Sequence, residues 1–161
     1  LDKNIAKEFI LMGKAFQRIG SLSNAHVGLD FELKAQLFFR GQGILLEQNH
    51  KVMVGVGSIK KPHRFDLGCS KQKIIVECKS HRWTIGGNVP SAKLTVWNEA
   101  MLYFHFSPID YRKIMFTLKD KRERNDKTLC QYYVNRFEHL IPEGVEFWEY
   151  DENAMNALRI Y

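Results

Sequence analysis

Cysteine and proline are scarce, at three and four among 161 residues, and no two cysteines form a CxxC pair. A disulfide framework or a structural zinc site needs more, so the thiols are expected to be reduced packing groups, as in a cytosolic compartment. The six histidines lack the HxxxH or Cys/His spacing of zinc ligands. Long apolar runs are missing too: no stretch approaches the ~18 residues of a membrane span, and the first residues lack the succession of a signal peptide. The expectation is an intracellular, cytoplasmic protein with no membrane partner. Leu1 in place of an initiator Met points to a reading frame that begins upstream. Acid is in short supply as well, with 18 Asp and Glu against 24 Lys and Arg, a net charge of +6. That excess suits a polyanion such as nucleic acid, and it equally suits simple solubility.

What is present is an ordinary globular composition. With 45% hydrophobic and 26% charged residues, disorder and collagen-like repeats are excluded, and the length fits one domain. Ile5, Phe9, Met12, Phe16 and Ile19 mark one face of a helix over residues 4–19. Gly20 to Gly28 has the composition of a loop, and Asp30 is placed to cap a helix running to Arg40. Between Ile44 and Arg82, short Val- and Ile-rich runs predict three strands. Their hairpins are expected near Gly55 to Ser58, with a basic turn at Lys60, Lys61 and Pro62, and at Gly68 to Lys73. A helix over Ser91 to Phe106, a strand RKIMFTL, a charged solvated loop KDKRERNDK, a helix LCQYYVNRFEHL, a strand VEFWEY and a terminal helix DENAMNALRI complete the chain. This order predicts an α/β protein with one mixed sheet flanked by helices.

The stretch HRFDLGCSKQKIIVECKS carries the chemistry, because it sets Asp66, Glu77 and Lys79 in strands that otherwise read as buried. Alternation puts Glu77 and Lys79 on one face, and a hairpin near Ser70 and Lys71 brings Asp66 beside Glu77. Paired carboxylates attract a hard divalent cation, whose shell phosphate oxygens and water complete. A lysine beside them can orient water or neutralise phosphoryl charge, so the set serves phosphodiester hydrolysis. The alternative reading of the same three residues is a structural salt-bridge cluster, with Lys79 pairing a carboxylate across the sheet.

FDLG followed after a short hairpin by VECKS resembles the signature of the PD-(D/E)xK nuclease superfamily, with Phe65 where the nominal motif has Pro. The resemblance covers about residues 30–120 and implies a restriction-endonuclease-like αβββαβ core, with residues 4–19 and the α/β elements of 128–160 as additions. It implies a metal-dependent DNA endonuclease of restriction or structure-specific type, similar to archaeal Holliday-junction resolvases. By the same resemblance Asp66 and Glu77 hold Mg²⁺, or Mn²⁺ in its place, with the backbone carbonyl of Cys78, and Lys79 assists water attack. Glu32, in DFELKAQLFF, matches an additional acidic position on the helix before the first strand, and the resemblance implies that it completes the catalytic acidic set as a further candidate metal ligand. A Glu near a helix start is also favoured by the helix dipole alone. Glu99 and Tyr103 have the spacing of the QxxxY element of some members, with Glu for Gln.

Lys60, Lys61, His63, Arg64, His81 and Arg82 bracket the acidic strands and are expected to meet DNA phosphates, while Trp83 beside Gly86 and Gly87 offers a stacking element. Trp97 and Trp148 sit in amphipathic segments and are expected in the core. Cutting two strands calls for a homodimer or a partner subunit. A reading from another class keeps the fold without the chemistry: a catalytically inactive nucleic-acid-binding or assembly module.

Overall fold

The computed structural model of the protein describes residues 24–122 and 126–161. The helix expected over residues 4–19 lies outside them. The elements run α1 (Asn24–Gly41), β1 (Glu47–Val56), β2 (Ile59–Cys69), β3 (Ile74–Lys79), α2 (Ser91–Phe106), β4 (Arg112–Leu118), α3 (Leu129–Phe137), β5 (Val145–Asp151) and β6 (Asn156–Arg159). All six strands form one sheet in chain order. Neighbours are antiparallel from β1 to β3, parallel from β3 to β5, and antiparallel again at β6. The protein is thus α/β, with a mixed sheet flanked by helices. The two parallel connections need crossovers, which α2 and α3 supply.

Each face of the sheet has its own core. Phe31, Ala35, Phe38 and Phe39 of α1 pack with Leu67, Val76, Ile114 and Phe116 on one side. Trp97, Met101 and Phe104 of α2 and Tyr133 of α3 pack with Ile75, Met115 and Phe147 on the other. Strand β4 is covered on both faces, which is why RKIMFTL reads as a nearly continuous apolar run rather than an alternating one. No helix among the described residues is long and apolar enough to cross a membrane.

Several local expectations are corrected. Helix α1 begins at Asn24, so Asp30 is internal and pairs with Lys34 one turn on at 2.7 Å. Gly28 costs such a helix about 1 kcal/mol rather than forbidding it. Lys60, Lys61 and Pro62 lie within β2, and the turn is tighter, at Gly57 and Ser58. The expected terminal helix is instead a turn and strand β6. The Asp151 carboxylate accepts from the backbone N–H of Asn153 and Ala154, at 3.0 and 3.3 Å, and this local bonding turns the chain back onto the open edge of β5. Across the charged segment, Lys121 and Thr128 form an isolated antiparallel bridge. Trp97 is fully buried, whereas Trp148 is half-buried against the α1 core. Cys130 is buried, but Cys69 and Cys78 are only half-buried. Cys69 pairs with Ile74, leaving it far along the ladder from Cys78.

The feature that positions the site is a fork. Strands β2 and β3 pair only at Leu67 with Val76, Gly68 with Ile75 and Cys69 with Ile74, while β1 and β2 stay paired out to Val56 and Ile59. From Asp66 outward, β1 and β2 therefore leave the sheet as a two-stranded ribbon. Alternation breaks at the same point: Phe65 packs in the α2 core and Leu67 in the α1 core, although residues two apart normally share a face. Asn49, opposite Asp66 in the register, takes a φ of 53°, the left-handed conformation that Asn tolerates best among non-glycine residues. Pro62 is accommodated because the outer edge of the ribbon needs no N–H from it.

Gly68 closes the base of the fork. A Cβ there would stand 2.5 Å from the His50 ring, so the close approach of β1 and β2 needs glycine. Gly68→Ala is expected to cost about 1–3 kcal/mol, the usual range for overpacking. Urea denaturation should show a lowered midpoint with unchanged slope, and a smaller loss in a His50→Ala background; equal midpoints would contradict this packing.

Candidate active site at the fork of the sheet

Where β2 leaves β3, the next β3 donor, the Cys78 N–H, loses its strand partner. The Asp66 carboxylate takes the bond instead, with Oδ2 accepting at 2.7 Å. In a strand the N–H and C=O of one residue point the same way, so the Cys78 carbonyl faces the fork as well. One residue either side, Glu77 and Lys79 project together, and Lys79 Nζ donates to Glu77 Oε2 at 2.6 Å. His63 enters from the ribbon, its Nε2 3.7 Å from Glu77 Oε1. Its ring is stacked on Tyr103 of α2 with centroids 3.6 Å apart. That Nε2 is buried and has no hydrogen-bond partner.

The electrostatics are those of crowded carboxylates around one lysine. Burial pushes the Asp66 carboxyl up, and the neighbouring Glu77 charge adds to it. Glu77 feels the same burial, but His63 and Lys79 outweigh it and hold its pKa below the usual range. Burial would lower the Lys79 pKa, yet Glu77 and Asp66 raise it, so the ammonium stays charged. Glu32 on α1 is lifted from 4.5 to about 7, first by burial and then by the charges of Asp66 and Glu77, with Lys79 opposing. The coupling shows that α1 brings Glu32 into the field of the fork.

Among the described residues no group of three or more His, Cys, Asp or Glu side chains is set to hold a metal ion. Mg²⁺ does not demand one, since it is held by one or two carboxylates with water and phosphate oxygens filling its shell. Asp66 and Glu77 fit that donor set with the Cys78 carbonyl; burial first, and then the repulsion between carboxylates, raises Glu32 and Asp66, and a divalent cation relieves the repulsion.

The residues expected to meet DNA divide into two groups. Lys60, Lys61 and Arg64 are exposed on the ribbon and form no salt bridge among the described residues. His81, Arg82 and Trp83 are instead committed within the protein. His81 Nδ1 accepts from Trp97 Nε1 at 2.8 Å, and burial, helped by Lys93 and Lys79, lowers its pKa to about 4, so it is neutral and brings no charge to a phosphate. Arg82 pairs with Asp120 at 3.1 Å and Glu152 at 2.7 Å. Trp83 is buried against Tyr132 and under the Arg122 guanidinium, with its backbone N–H bonded to Asp120, and so offers no ring face for stacking. Glu99 is exposed on α2, while Tyr103 of the same spacing reaches the site through His63. The place of His63 beside Glu77 was hidden in the sequence, because it depends on the break in alternation at Asp66.

The chain matches no family model, no curated protein and no solved structure.

A carboxyl whose pKa rises on folding makes the folded state bind more protons, so stability is present at low pH and lost as pH climbs from about 4.5 through about 7. The whole shift would be worth about 3 kcal/mol, which solvent screening at this part-exposed side chain reduces to on the order of 1 kcal/mol. Glu32→Gln is therefore expected to stabilise the metal-free protein at pH 8 and leave it little changed at pH 4.5, read by chemical denaturation at both. Equal effects at the two pH values would contradict the coupling.

Proposed function

We propose that this protein is a Mg²⁺-dependent DNA endonuclease with a restriction-endonuclease-like αβββαβ core. The observation that carries the reading is the meeting of Asp66, Glu77 and Lys79 at a fork in the sheet, preceded by α1 and followed by α2 and β4. Asp66, Glu77 and the Cys78 carbonyl would hold the ion. A bound Mg²⁺ supplies a more acidic water and charge neutralisation on phosphoryl oxygens. Lys79, kept charged by its carboxylate neighbours, orients the attacking water and offsets negative charge as it builds. Glu32 on α1 would complete the acidic set beside the ion. Tyr103 and His63 fix the Glu77 side of the cleft. Lys60, Lys61 and Arg64 draw in the phosphate backbone, and a symmetric dimer or a partner subunit supplies the second site that cutting both strands requires.

The second reading is a nucleic-acid-binding or assembly module that keeps the fold and has lost the chemistry. The 2.6 Å bond between Lys79 and Glu77 favours it, because a carboxylate satisfied by lysine has less need of a cation.

Incubation with plasmid and with branched DNA in Mg²⁺ or Mn²⁺ tests both readings. Cleavage by the protein should fall by about 10²-fold or more in Asp66→Ala and in Lys79→Ala, the scale expected for removing electrostatic stabilisation of the transition state. Cleavage that survives both substitutions contradicts the site assignment. DNA binding without cleavage of either substrate supports the second reading.

A further inference from the structure

Beyond the fork, the β1–β2 ribbon has one face covered and one open. Val52, Val54 and Phe65 pack in the α2 core, and His63 lies on Tyr103. The register pairs Lys51 with Arg64, Met53 with Pro62 and Gly55 with Lys60, so these residues share the opposite face, and Lys51, Met53, Lys60, Pro62 and Arg64 are all exposed. Val56 and Ile59 at its tip are 66% and 78% exposed. Between Glu47 and Asp66 the chain carries no acidic residue at all. None of Lys51, Lys60 or Arg64 forms a salt bridge among the described residues. Arg82, Arg112 and Lys119, by contrast, each pair with a carboxylate.

A surface that gathers charge of one sign and leaves it uncompensated is complementary to a polyanion. A second copy of the chain is disfavoured here, because pairing two ribbons along the open β1 edge would bring like charges together. The shape narrows the choice further. The major groove of duplex DNA, about 12 Å wide, admits a two-stranded ribbon together with its side chains, and the minor groove is only about half as wide, at about 6 Å. We propose that the β1–β2 ribbon lies in the major groove of duplex DNA, with Lys51, Lys60 and Arg64 against phosphates and base edges and Met53 and Pro62 against the groove floor. Arg64 is two residues from Asp66, about 7 Å along the strand, so a seated ribbon delivers a neighbouring phosphate to the fork. The inference rests on the nuclease reading for that last step only; groove binding itself needs no metal.

Binding is therefore measured in EDTA, with a fluorescein-labelled 20-bp duplex, for the protein and for the triple variant Lys51→Gln, Lys60→Gln, Arg64→Gln. All three side chains are exposed, and matching circular dichroism and unfolding midpoints establish that the variant folds. The variant should bind at least tenfold more weakly at low salt. Its slope of log affinity against log salt should be shallower by about 0.9 for each phosphate that the variant no longer neutralises. Dimethyl sulfate should find guanine N7, in the major groove, protected by the protein and not by the variant. Unchanged affinity and slope, protection confined to adenine N3 in the minor groove, or a self-association abolished in the variant while DNA binding persists would each overturn the proposal. So would a protein that fails to bind the duplex. The cleavage experiment fails or succeeds independently, because no metal is present here.

Discussion

The hydrogen bond from the Cys78 N–H to Asp66 Oδ2 marks the place where β2 stops pairing with β3, and the arrangement of the molecule follows from that separation. A strand that leaves a sheet strands its neighbour's donors, and a buried unpaired N–H costs about as much as a lost hydrogen bond. Here a carboxylate fills the gap. The substitution fixes Asp66 against the β3 backbone and turns the Cys78 carbonyl into the same opening. It also sets the Glu77 and Lys79 side chains at its rim. Beyond it, β1 and β2 are free to project as a ribbon, with α2 supporting one face.

The cost of this arrangement is electrostatic. Asp66, Glu77 and Glu32 are brought into one field with a single lysine, and burial first, then repulsion between the carboxylates, shifts Glu32 and Asp66 upward. Only Glu77 is held down, because Lys79 and His63 both face it. An arrangement maintained against repulsion is informative about chemistry, since perturbed carboxyl groups concentrate where charge has to be bound or moved. It also separates this cluster from Glu146, which faces both Arg112 and Arg159 and whose pKa they hold down against burial.

Much of this was legible in the chain. Alternation in KIIVECK put Glu77 and Lys79 on one face, and the polar stretch at Ser70 and Lys71 turned β2 back beside β3, because both are local patterns of period and turn chemistry. The element order through β4 was legible for the same reason. The fork itself was not: alternation breaks between Phe65 and Leu67, where Asn49 takes a φ of 53°, and His63 comes beside Glu77, which no local period encodes. Trp83 misled because two following glycines suggest an open loop, whereas Tyr132 and Arg122, each more than thirty residues away in sequence, close over the ring. The final strand was hidden by a helix-like composition that a single carboxylate turn at Asp151 overrides.

The central claim is that the fork holds a divalent cation between Asp66 and Glu77, and metal binding measured apart from any substrate tests it most directly. Titration of Mn²⁺ into the folded protein, followed by the electron paramagnetic resonance signal of free Mn²⁺, should reveal one site per chain. Asp66→Asn should abolish it while leaving the circular dichroism unchanged. No bound Mn²⁺ in the folded protein, or a site that persists unaltered in Asp66→Asn, would contradict the account.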